Sequence, residues 1–145
     1  MTLESKKIWT NSRKSISMLH TESKNWISEI DFILDEIRFL KHLLSAKYID
    51  YLFAGLAKRI EIFTKKLEVE KETSTLLKES IQKHEIFLTD LIEHNNLISN
   101  INYIEQHKTL NKEIDIYLKK YKNLKKQIFD AVEKVMRKKN IKKLL

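Results

Sequence analysis

The sequence predicts an all-α protein, an up-down-up bundle of three antiparallel helices with coiled-coil-like heptad packing, and three observations lead there. Proline is absent from the 145 residues and glycine occurs once, at Gly55, so the residues on which sharp turns, bulges and phosphate-binding loops depend are nearly missing. Apolar residues make up 42% and charged residues 33%, which supplies a core and argues against general disorder. Apolar positions recur at alternating steps of three and four, the spacing of a helical seam, and nowhere alternate by twos for long, as a strand would. P-loops, dinucleotide-binding turns and nucleophile elbows are excluded along with the glycines. At this length residues 1–145 read as a single domain.

The first helix is carried by Ile16, Leu19, Trp26, Ile30, Ile33, Ile37, Leu40 and Leu44, with Ser23 at the missing step. Phe32, Leu34, Phe39 and Leu43 widen the stripe, as suits a helix with two neighbours. Upstream, residues 1–13 keep the period poorly: Ile8 and Trp9 are apolar, but the seam steps fall on Ser5 and Ser12, so an N-terminal arm is expected. A short connection around Ser45 to Tyr48 leads to the second seam. It runs through Ile49, Phe53, Leu56, Ile60, Phe63 and Leu67, passes Glu70 and Ser74, and continues at Leu77, Ile81, His84, Leu88, Leu91, Asn95 and Ile98.

That unbroken phase predicts one long central helix. The alternative is four helices, if the hydroxyls in residues 68–75, EVEKETST, cap a new start. A third seam follows at His107, Leu110, Ile114, Tyr117, Tyr121, Leu124, Ile128, Ala131 and Val135. The polar stretch HNNLISNIN between the last two seams is the densest turn signal, and Asn102 with Glu105 has the spacing of a capping box. A first helix of about 30 residues covers only part of a second of about 50, so Ile86, Phe87, Ile92 and Ile104 are expected to lie uncovered at its tip.

The net charge of +8 is concentrated at one end: residues 117–145 hold 11 basic and 2 acidic residues, whereas residues 1–116 hold 17 basic and 18 acidic. Cysteine is absent, which removes disulfides and thiolate chemistry. No stretch approaches the roughly 20 apolar residues of a membrane span, and the first twenty residues lack the apolar run of a secretory signal. A cytoplasmic protein with no membrane span is expected.

Two constellations could carry chemistry. His84 and His107 occupy seam positions on facing helices, with Glu85 and Glu105 beside them in sequence, a donor set able to hold a divalent metal within a bundle. The opposing reading is a hydrogen-bonded polar layer that sets helix register; the Glu-x-x-His spacing of di-metal bundles does not occur. The basic end offers Lys134 and, within residues 137–145, Arg137, Lys138, Lys139, Lys142 and Lys143 for phosphate contacts with nucleic acid, for an acidic protein or membrane surface, or simply as a solvated helix end. Glu29 and Glu36 share a helix face and are expected to pair with lysines of a neighbouring helix. No acid, base and nucleophile can be placed together, so no enzyme and no cofactor other than such a metal is expected.

The stretch WISEIDFILDEIRFL from Trp26, the run Gln82-Lys83-His84-Glu85, and Glu105-Gln106-His107 with Leu110, Tyr117, Tyr121 and Leu124-Lys125 resemble a set of small uncharacterised all-helical proteins of Bacteroidetes. The resemblance covers roughly residues 22–137. It implies that Glu29, Asp35, Glu36, His84, Glu85 and His107 are shared polar positions, and it carries no activity. Together these readings predict a non-enzymatic interaction or scaffold protein that works by homodimerisation or by packing a helix of another protein against an exposed seam. The alternatives are metal binding through His84 and His107 and nucleic-acid binding through the basic end.

Overall fold

A computed structural model describes the backbone of residues 3–94 and 97–144 and the side chains of residues 16–93 and 100–140. It is an all-α helical bundle. Four helices follow one another: α1 (Leu3–Ala46), α2 (Tyr48–Phe53), α3 (Ala57–His94) and α4 (Leu97–Leu144). The three long ones have 44, 38 and 48 residues and no proline or glycine within them, so no backbone element interrupts their hydrogen bonding. α1 is thus longer than the roughly 30 residues its seam suggests. The backbone from Leu3 through residue 13, where an arm was expected, belongs to it; the side chains there lie outside the described residues.

The central seam is divided, though not where the hydroxyl cluster suggested. α3 runs straight through residues 68–75, where Thr73, Ser74 and Thr75 donate back to the carbonyls of Val69, Glu70 and Lys71, at 2.9, 2.6 and 3.1 Å. A hydroxyl that bonds its own preceding turn is not available to cap a new helix. The break falls instead at Gly55, whose φ of 74° only glycine adopts cheaply. Gly55 N–H donates to the Leu52 carbonyl at 3.1 Å and Leu56 N–H to that of Tyr51 at 2.8 Å, the paired closure of a Schellman motif.

This turn corrects the expectation of one helix from residue 49 onward. Ile49 and Phe53, expected in the seam, are exposed, and Tyr51 is buried in their place. Asn102 and Glu105 lie within α4, which begins at Leu97, so they are not a capping box. Phe32 and Phe39 do not widen the stripe of α1; both are more than half exposed. Asn95 and Ile98, at the end of the second seam, lie outside the described side chains.

Two compact units make up the chain, Met1–Asp31 with Leu76–Asp115 and Phe32–Thr75 with Ile116–Leu145. In the first, Trp26 and Ile30 of α1, Leu77, Ile81, Leu88 and Leu91 of α3, and Tyr103, Leu110 and Ile114 of α4 are buried. Ile16, Leu19 and Phe87 pack against the cluster of Leu88, Leu91 and Tyr103. In the second unit the core is Ile33, Ile37, Leu40, Leu44, Tyr51, Ile60, Phe63 and Leu67 with the α4 series Tyr117, Tyr121, Leu124, Ile128, Ala131 and Val135. A fully buried Leu or Ile contributes about 1.5–3 kcal/mol relative to an exposed one, so these rows carry most of the favourable energy of each unit.

Candidate functional site

Each unit interrupts its apolar core with one polar layer, and the first holds the two histidines. His84 of α3 and His107 of α4 are both 3% exposed, and His84 Nε2 stands 3.1 Å from His107 Nδ1. His107 Nε2 lies 2.8 Å from Glu22 Oε2 on α1. A carboxylate only accepts, so His107 Nε2 donates to Glu22; in the neutral ring Nδ1 then accepts, and His84 Nε2 donates to it. His84 Nδ1 stands 3.4 Å from Gln106 Oε1, which accepts from it when the ring is charged.

Aromatic rings enclose the layer. Trp26 stacks on His107 at 4.5 Å between centroids, and Tyr103 on His84 at 4.1 Å. Burial holds the His84 imidazole below its ordinary value of 6.5, against the opposing pull of the Gln106 hydrogen bond, while the neighbouring His107 lowers it further and Glu85 raises it. Burial also pushes the Tyr103 phenol up to about 12, with the charge of Glu85 adding to the effect and the Ser23 hydroxyl opposing it.

Of the four expected metal-site residues, the structure joins His84 and His107 and disperses the others. Glu85 pairs with His20 of α1. Glu105 lies outward, 68% exposed at its side chain, with Lys108 at 3.8 Å. Both ring nitrogens of His107 face partners, and among the described residues no group of three or more His, Asp or Glu side chains is disposed to hold a metal. What the arrangement does is join α1, α3 and α4 through one hydrogen-bonded chain, Glu22 to His107 to His84, which favours one register among them.

The second unit has a different layer. Tyr121 donates to Glu36 Oε1 at 2.5 Å and Lys125 to Glu36 Oε2 at 2.9 Å, so the α1 carboxylate meets a lysine of α4 as its position predicts. Glu29 is exposed. Glu70, 2% exposed, has Lys120 at 3.6 Å from Oε1 while its Oε2 is buried without a partner. Desolvation raises the Glu70 carboxyl above its ordinary 4.5, and Lys120 only partly offsets that. Ser74 hydrogen-bonds the Tyr117 hydroxyl, and burial raises both Tyr117 and Tyr121, the latter helped by its bond to Glu36.

At the basic end, Lys134, Arg137 and Lys138 are exposed, but Arg137 pairs with Glu133 at 2.6 Å and Lys139 with Asp50 of α2 at 3.6 Å. Lys142 and Lys143 lie outside the described side chains. Sequence reasoning missed Glu22, His20, Trp26 as a stacking partner, and Tyr103. Only Tyr103 left a signal, since Asn100 and Tyr103 extend the three-four spacing backward from His107. No known protein family, curated protein or solved structure matches the chain.

Proposed function

We propose that the protein is a non-catalytic interaction module that self-associates through the first unit, a helix of a second copy packing between α1 and α3. The observation that carries this reading is a groove of about 680 Å³ floored by Ile16 and Leu88 and flanked by Ile86 and Ile92, which are 67% and 71% exposed. Exposed apolar side chains flanking a groove are what the apolar face of an amphipathic helix packs against. The paired His20 and Glu85 line the same groove, giving the partner a polar edge to align on.

Solution mass tests the reading. Light scattering on the full chain is expected to give a mass above one chain, and Ile86→Glu with Ile92→Glu to return it to the monomer with helicity unchanged by circular dichroism. A wild-type mass of one chain at every concentration overturns it.

A further inference from the structure

Helix α2 gives the second unit a run of exposed apolar side chains. Tyr48, Ile49, Leu52 and Phe53 are 44%, 66%, 55% and 74% exposed, so four of its six residues hold large apolar side chains in water. This is a built feature, since Gly55 closes the helix with two backbone hydrogen bonds. The one acidic residue of α2, Asp50, is half-buried and has Lys139 of α4 at 3.6 Å, which offsets its charge. Every other charge within residues 45–59 is positive, namely Lys47, Lys58 and Arg59, and the last two are exposed.

We propose that α2 docks on an anionic lipid surface. Ile49, Leu52 and Phe53 enter the boundary between headgroups and acyl chains, Tyr48 sits at its polar side, and Lys47, Lys58 and Arg59 meet the lipid phosphates. An exposed apolar helix flanked in sequence by cations is what such a surface selects. Charge argues against a second copy as the occupant: two copies of this face would bring Lys47, Lys58 and Arg59 of one toward the same cations of the other, whereas an anionic surface is attracted by them. A single small anchor of this kind binds reversibly.

The test is co-sedimentation of the full chain with vesicles of phosphatidylcholine alone and of phosphatidylcholine with roughly 30% phosphatidylserine, at low and high salt. Binding is expected only to the anionic vesicles and to weaken as salt rises. Ile49→Ser with Leu52→Ser is expected to abolish it, and Lys58→Gln with Arg59→Gln to reduce partitioning roughly tenfold or more. These side chains are exposed, so circular dichroism should match the wild type. Absence of wild-type binding to the anionic vesicles overturns the proposal, as does undiminished binding of the double serine variant. A change in solution mass of the serine variant, with no vesicle binding by the wild type, also overturns it and makes α2 a protein interface. Ile86 and Ile92 lie outside α2, so this proposal and the self-association reading fail separately.

Discussion

The two units solve the same problem with opposite chemistry. Each must place polar groups at seam positions of three helices. The first does so with a buried pair of imidazoles, His84 and His107, closed by Glu22, and the second with a buried acid, Glu70, beside the Tyr121, Glu36 and Lys125 set. In the first, the histidine nitrogens run in a chain from ring to ring to carboxylate between stacked aromatics, while Asn100 Oδ1, two turns away on α4, is buried without a partner. In the second, Glu36 is well partnered while Glu70 Oε2 has no partner. The difference teaches that a polar seam position is cheap when its partner is on a facing helix at hydrogen-bonding distance, and costly when only a long, exposed lysine approaches it.

The largest expected effect breaks the histidine layer. His107→Ala removes the ring between Trp26 and His84, opens a cavity, and leaves both His84 Nε2 and Glu22 without their partner. A loss of about 3 kcal/mol is expected in urea denaturation, against about 1 kcal/mol if the layer were merely a surface contact.

A middle-sized effect separates two tyrosines of the second unit. Tyr121→Phe deletes a charge-assisted bond to Glu36 and should cost about 1–2 kcal/mol. Tyr51→Phe should be neutral or slightly stabilising, because the Tyr51 hydroxyl is buried without a partner and its removal ends a desolvation penalty. Equal costs for the two would contradict the partner assignment.

The smallest effect is a pair of opposite pH slopes. The folded His84 holds its proton less tightly than an unfolded histidine, so its contribution is present above 6.5 and is lost as pH falls from there to the folded value. The folded Glu70 holds its proton more tightly, so its contribution is full below 4.5 and is lost as pH rises through the folded value. Melting temperatures measured across pH are expected to lose their acid-side decline in His84→Gln and their decline with rising pH in Glu70→Gln. A single substitution that flattened both sides would show that the two layers do not titrate separately.

By itself the amino-acid sequence determined the helices and most of what they bury. The three-four spacing from Ser23 to Leu44, from Ile60 to Leu91 and from His107 to Val135 marks side chains that are buried throughout, Glu70, Ser74 and both histidines among them. That much is legible because helical period is a local property, written in the order of residues whatever the helix packs against. Tertiary structure decided the polar partners that the seams do not name, whereas His84 with His107 and Glu36 with a lysine were already suggested by position. Glu22, 85 residues from His107, is an ordinary exposed-face residue until α1 takes one register against α4. The same holds for Glu85, which turns to His20, and for Phe32 and Phe39, whose apolar character says nothing about whether a neighbour covers them. The helix break lay in plain view as the one glycine, yet unbroken phase concealed it: a short Schellman turn lets the three-four spacing resume on the far side. Register and coverage depend on how separate helices settle against each other, and many settings are compatible with one period.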